Sequence, residues 1–321
     1  MREPRHEPVM VAEVGAALVG HQRIVVDATV GLGGHAEALL EAGAGLLIGL
    51  DRDEDALGIA RARLARFGPR VELHHATFRE LASVLGPRRP TAVLADLGVS
   101  SLQLDEADRG FSFARSGPLD MRMDRTQVLG VQELIAASSV ERLEAILKAG
   151  EVGRLSGRYA RALKEARRLE TTEDLAVLVE RATPARARTT RRHPATLVFQ
   201  ALRMAVNDEL GQLAALLPTA FRALETEGVL AVLAYHSLED RLVKRFFALA
   251  ERGGADPSVP AGSWEPALVR SPRRAIRPRA DEVARNPRSR SARLRIAHKV
   301  RELDLSDVWR EEVRPWLVAP Q

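Results

Sequence analysis

The stretch Val25-Val26-Asp27-Ala28-Thr29-Val30-Gly31-Leu32-Gly33-Gly34-His35 constrains the fold more than any other part of the chain. The apolar run from Ile24 to Val26 reads as a buried parallel strand, and Ala36, Leu39 and Leu40 then recur at helical spacing until Gly43 stops the helix. Glycines at such a strand-to-helix turn let backbone N–H groups approach a ligand closely, and the helix N-terminus behind them favours an anionic group. A second strand, Leu46 to Leu50, ends in Asp51. A nucleotide-binding α/β unit carries at that place the carboxylate that grips ribose hydroxyls. Gly31, Gly33 and Ala36 fit the pattern G-x-G-x-x-A. A tight βα turn without a ligand explains the glycines alone equally well; the placed carboxylate tips the reading toward nucleotide binding.

Strand and helix keep alternating through the first hundred residues. Asp53, Glu54 and Asp55 open a helix carrying Leu57, Ile59, Ala60 and Leu64; a short strand over 71–75 leads to Thr77 and Phe78; a fourth strand over 91–96 ends in Asp96. This rhythm predicts a doubly wound, mostly parallel Rossmann-like α/β sheet with ligands outside the carboxyl ends of its strands. From 105 to 194 the rhythm breaks, and helical patterns at 131–136, 140–147, 158–165 and 172–181 predict an inserted all-α domain. The expected division is therefore a discontinuous sheet domain, 1–104 and 195–321, with the helical domain 105–194 between its halves. One long helix is expected over 195–217, then a further helical stretch to Thr226 and a fifth strand over 229–235. The basic tail to about residue 300 is expected to add edge strands, with Leu294 and Ile296 facing inward.

Composition narrows the chemistry. At 321 residues the chain buries a full core, and it has no apolar run long enough to span a bilayer; Glu13 interrupts the apolar stretch 8–20. It has no cysteine, which excludes disulfides, a thiolate nucleophile and cysteine-ligated metal. No histidine has partners at metal-ligand spacing, so no metal site is expected, and cytoplasmic residence is. A net charge of +5 and a pI near 10.1 suit a polyanionic partner. The positive charge gathers at 154–168, 181–192 and 270–295, almost all of it arginine. An arginine-rich genome composition explains the preference for arginine over lysine equally well, so the clustering is the informative part.

Two enzyme classes explain the first two βα units: dinucleotide oxidoreductases and S-adenosylmethionine (SAM) methyltransferases. The fourth strand separates them by delivering Asp96-Leu97-Gly98-Val99-Ser100-Ser101-Leu102-Gln103. SAM enzymes that act on exocyclic amines carry a hydrogen-bond acceptor there. The cytosine amino lone pair is delocalised into the ring; an acceptor localises it and aims it at the methyl carbon, with reacting atoms about 3–3.5 Å apart. A structural turn is the other reading of Asp96. Methylation at C5 of a pyrimidine needs a covalent nucleophile, normally cysteine, and is disfavoured.

The sequence resembles the RsmH/MraW family of SAM-dependent methyltransferases that modify cytosine N4 in small-subunit ribosomal RNA. The resemblance runs through His6-Glu7-Pro8-Val9, Gly31-Leu32-Gly33-Gly34-His35, Asp51-Arg52-Asp53, Asp96 to Ser101, Arg109-Gly110-Phe111-Ser112-Phe113 and Gly117 to Asp124. It continues in His193-Pro194-Ala195-Thr196, Phe199 to Arg203, Val206 to Leu210, His236 to Arg241 and Asn286 to Ser291. Each motif is weak alone; their order along one chain is specific. The resemblance implies SAM contacts at Gly33, Gly34, His35, Asp51, Phe78, Asp96 and Gln103, and 16S rRNA of the small ribosomal subunit as partner. Two of these keep plainer readings, His35 as a helix cap and Phe78 as core. The chain departs from the family pattern at 150–154, at Leu197 and at Tyr235, which stands where phenylalanine is usual; none of these is expected to touch the SAM pocket.

Asp96 is the expected catalytic acceptor, with Ser100 and His236 as alternatives. His236 sits at the end of the fifth strand, where Glu239 and Asp240 equally suit a helix cap. Arg109, Phe111, Phe113 and Asp120 follow the fourth strand closely enough to meet a flipped base, although packing beneath the insertion accounts for them too. Arg191, Arg288 and Arg290 in the basic segments are expected on RNA phosphates. A non-catalytic ribosome-binding protein with a SAM fold and an NAD-dependent oxidoreductase are the competing readings, and the sequence sets no oligomeric state.

Overall fold

The computed structural model describes residues 8–187, 193–255, 258, 264–314 and 317. Seven strands, β1 (Ile24–Asp27), β2 (Leu46–Asp51), β3 (Val71–His75), β4 (Ala92–Asp96), β5 (Val229–Ala234), β6 (Leu268–Arg270) and β7 (Arg293–Lys299), form one sheet in the order β3-β2-β1-β4-β5-β7-β6. The first five run parallel, and β7 lies antiparallel to both β5 and β6. The chain winds outward from β1 to β3, then crosses to β4 on the other side of β1. This is a doubly wound Rossmann-like sheet whose switch point falls between β1 and β4, so their carboxyl ends, Asp27 and Asp96, open onto one crevice.

The strands β1, β4 and β5 are apolar almost throughout and buried on both faces, as parallel strands covered by helices must be. The tail behaves differently from an edge. Leu294 and Ile296 do face inward, but β7 is an interior strand and the short β6 forms the border. Asp240, on the helix Ser237–Glu251, holds β7 there by accepting from Arg293 Nη1 at 2.7 Å and Arg295 Nε at 2.8 Å. Lys299, buried at the end of β7, donates to the carbonyls of Arg222 and Leu224 and to Glu302.

The expected helix over 195–217 is two helices, Ala195–Val206 and Glu209–Ala223. Between them Asp208 adopts a left-handed φ of 47°, and the Asn207 side chain is fully buried. Its amide donates to the Met121 and Arg203 carbonyls and accepts from Met123 N–H at 2.8 Å. The second helix runs through Pro218. A proline lacks the N–H that would bond the carbonyl four residues back. That carbonyl, Ala214, instead accepts from the indole of Trp309 at 2.8 Å, so the interior proline leaves no buried acceptor unpaired.

The chain separates into two compact units, the first combining the residues before Val99 with Leu210–Arg314, the second spanning Val99–Glu209. Residues 99–104 and 195–209, which the pattern gave to the sheet domain, fall in the second. The reason lies in the packing: Val198, Phe199 and Leu202 share a core with Leu143, Ile146, Tyr159, Leu163 and Leu175. The helices of this unit include Val131–Ala137, Val140–Ala149, Ser156–Glu165 and Thr172–Ala182. Thr171 caps the last by accepting from Asp174 N–H at 3.1 Å. Among the described residues no helix is long and apolar enough to cross a membrane.

Candidate active site

The glycine turn after β1 closes on Asp51 at the end of β2. Gly31 N–H donates to Asp51 Oδ2 at 2.7 Å and Asp53 N–H to Oδ1 at 2.9 Å. Each oxygen keeps a lone pair for a ligand hydroxyl. Burial raises the Asp51 pKa to about 6 against the pull of these two donors. Gly33 takes a left-handed φ of 81° at the mouth of the helix Gly34–Glu41. A Cβ on Gly34 would lie 2.4 Å from Pro8 Cγ, so only glycine lets the N-terminal segment pass over the turn. Phe78, half-buried, opens a short helical turn after β3, the strand paired with β2.

Three further groups gather at the β1–β4 switch point. Asp27 is buried and accepts from Thr29 N–H at 3.1 Å, while its Oδ2 has no hydrogen-bond partner among the described residues. Thr29 Oγ1 accepts from the Asp96 N–H at 2.6 Å and so ties the two strand ends together. Burial raises the Asp27 pKa to about 6 despite the opposing attraction of His35. His35 Nε2 lies 3.4 Å from Asp96 Oδ2, an ion-pair distance outside hydrogen-bond geometry. Burial opposes the charged imidazolium, but Asp96 and Asp27 outweigh it and hold His35 above the ordinary histidine value. Asp96 Oδ1 accepts from the Tyr235 hydroxyl at 2.7 Å. Tyr235, one of the departures expected to avoid the SAM pocket, thus touches Asp96, one of the expected SAM contacts. Burial, reinforced by Asp96, keeps its phenol protonated far above the ordinary range.

The remaining expected site residues separate into two kinds. His236 is the N-cap of the helix Ser237–Glu251: its Nδ1 accepts from Glu239 N–H at 3.4 Å, and Glu239 Oε2 accepts from the backbone N–H groups of Tyr235 and His236. Ser100 caps the helix Ser101–Asp105 in the same way, with Gln103 as its reciprocal partner at 3.2 and 3.0 Å. Gln103 is buried within the second unit. Arg109 is buried and donates to the carbonyls of Arg122 and Met123, so it is unavailable to RNA. Phe111 is buried, and Phe113 packs in tilted contact against Phe199 and His193 at centroid distances of 4.8 and 5.0 Å. Asp120 is chelated by Arg122. These four hold a loop of the second unit together. Arg288 and Arg290 are exposed on the connection between β6 and β7, and Arg191 lies outside the described residues.

Sequence reasoning missed the hydroxyls of Thr29 and Tyr235. Thr29 sits two residues beyond a strand-end aspartate, a spacing that signals a local turn bond. Tyr235 had no sequence signal beyond being a tyrosine in an apolar strand.

Among the described residues, the Asp27 Oδ2 oxygen and both ring nitrogens of His35 are buried without a hydrogen-bond partner. Three carboxylates at the ends of β1, β2 and β4 suit a cation and repel a pyrophosphate. A nucleoside carrying a sulfonium and an ammonium group meets that requirement; a nicotinamide dinucleotide does not.

Known proteins resemble this chain along most of its length. The chain is 46% identical over 314 residues to a ribosomal RNA small subunit methyltransferase H of Acidothermus cellulolyticus, covering 92% of this chain and 94% of the relative. It is 48% identical over 308 residues to the protein of the same name from Sorangium cellulosum, covering 93% and 92%. Among solved structures, an rRNA methylase from Streptococcus thermophilus superimposes with a TM-score of 0.42 at 13% identity, covering 94% of this chain and 99% of that one. The model of the MraW methylase family matches residues 3–300. With that match over most of its length, the chain belongs to the MraW methylase family.

Proposed function

We propose that this protein transfers a methyl group from SAM to the exocyclic N4 of a cytosine in 16S rRNA of the small ribosomal subunit. Membership of the family and the names of its relatives support an rRNA methyltransferase using SAM. The observation that carries the choice of atom is Asp96: a carboxylate at the switch point, its side chain 22% exposed, supported by a hydroxyl on one oxygen and an imidazole on the other.

SAM, when bound, supplies an electrophilic methyl on its sulfonium. The chain supplies the rest. Asp51 orients the ribose through charge-assisted hydrogen bonds. Asp96 accepts a hydrogen bond from the cytosine amine, returns its nitrogen lone pair from the ring, and holds the proton that leaves. Thr29 fixes the backbone of Asp96, and His35 faces its second oxygen. With Ser100 and His236 engaged as caps, Asp96 is the acceptor we assign. The absence of cysteine argues against C5.

The exposed arginines between β6 and β7, including Arg288 and Arg290, fit RNA phosphates, and the helical unit fits a role in recognising the RNA. The reading places the protein in the cytoplasm, with the ribosomal subunits. The test is methyl transfer from labelled SAM to ribosomal RNA or assembled small subunits, followed by nucleoside analysis. N4-methylcytidine is the expected product; 5-methylcytidine or a ribose methyl overturns the assignment.

A further inference from the structure

We propose that Tyr235 is a positioning residue for the reaction: through its hydroxyl it holds the Asp96 carboxylate oriented toward the amine. The inference rests on the reading of Asp96 given above and adds a group to it.

The geometry is specific. Tyr235 follows the last residue of β5, the strand hydrogen-bonded beside β4, so the two side chains meet from neighbouring strand ends although 139 residues apart in sequence. Its backbone N–H is held by Glu239 Oε2 at 2.9 Å. Its ring lies over Gly98, where an added Cβ would sit 3.4 Å from Cδ2; Gly98 itself has a φ of 97°, which a side chain rarely tolerates. A ring held by its own backbone and by the glycine beneath it has little freedom to swing its hydroxyl away. The hydroxyl then donates to Asp96 Oδ1 at 2.7 Å, a charge-assisted bond.

The consequence follows from hydrogen-bond chemistry. A donor fixed on one carboxylate oxygen sets the torsion of the group and with it the direction of the other oxygen's lone pairs. The bond to Oδ1 turns Oδ2 toward the His35 side of the pocket. The titratable groups that interact with this carboxylate are His35 from the helix Gly34–Glu41 and Asp27 from β1. On the Tyr235 side stand Glu239 and Glu282.

Tyr235→Phe keeps the ring and removes only the donor. The direct readout is the carboxyl carbon resonance of Asp96 in protein labelled at aspartate, assigned by its loss in Asp96→Asn and recorded for the free protein at one fixed pH. The resonance is expected to shift in Tyr235→Phe. The kcat at saturating SAM is expected to fall about tenfold, the size of one charge-assisted hydrogen bond, while SAM affinity stays within about twofold. An unmoved resonance overturns the inference. So does a rate loss matched by lost SAM affinity, which makes Tyr235 a packing residue. Failure of the parent reading is a separate outcome: wild-type enzyme would then yield a product other than N4-methylcytidine, whatever the Asp96 resonance does.

Discussion

Two charged regions of this chain look alike in sequence and differ in physics. The ends of β1, β2 and β4 bring Asp27, Asp51, Asp96 and His35 together, and among the described residues a buried carboxylate oxygen and an imidazole of the cluster have no hydrogen-bond partner. The loop of the second unit holds Arg109, Asp120 and Arg122, and there the charges have found partners: Arg109 two carbonyls, Asp120 a bidentate guanidinium. Buried groups without partners are held at a cost that a ligand can offset, whereas satisfied ones stabilise the fold they sit in. On the function proposed above, the first region is chemistry and the second architecture.

Substitutions in the two regions should therefore move different observables. The largest effect on stability belongs to the loop. Arg109→Ala strands two carbonyls, the Met123 one buried, and opens a cavity, and chemical denaturation should show a loss of about 3–4 kcal/mol. A folded mutant of wild-type stability that fails only in RNA binding would move Arg109 into the functional class. Next comes Asp51→Ala, which should leave the fold intact and weaken SAM binding by about 1–3 kcal/mol in calorimetry at neutral pH. The pH dependence has a definite sign. With its pKa raised to about 6, Asp51 is ionised above that value and protonated below it, so SAM affinity falls as pH drops through 6, and the mutant loses part of that slope. Smallest is Asp27→Asn. The folded pKa of about 6 exceeds the unfolded value of 3.8, so the folded state favours the neutral carboxyl and the ionised form is destabilising above pH 6. The substitution should stabilise the free protein by about 1–2 kcal/mol at pH 8. That gain should vanish near pH 4, and a destabilised mutant at pH 8 would contradict the account of this cluster.

The strand ends were legible in sequence because each is a local signal: an apolar run, then an aspartate, then a turn. Asp27, Asp51 and Asp96 all fit that pattern, and the helices of the second unit were legible from their own apolar spacing. What sequence could not supply was of two kinds. Some contacts are long-range, such as Tyr235 with Asp96 and Trp309 with Ala214, and no periodicity encodes them. Others are ambiguous even locally. A serine or histidine between a strand end and a helix reads equally as a catalytic group or a cap, and Ser100 and His236 proved to be caps. Arg109 misled for a related reason: an arginine is exposed by default, and its burial depends on carbonyls offered by residues 122 and 123. The helix over 195–217 looked continuous because Asn207 and Asp208 are tolerable helix residues; only the buried partners of Asn207 explain the break.

The central claim is that Asp96 acts on the amine rather than only holding the cofactor. Single-turnover methyl transfer by Asp96→Asn, at saturating SAM and RNA, tests it most directly. Asparagine keeps the shape and the bond from Tyr235 but cannot take up the proton. The account predicts a folded enzyme whose rate at saturation is at least about 100-fold below wild type. Full recovery of the rate at saturating SAM would contradict it and reduce Asp96 to a binding residue.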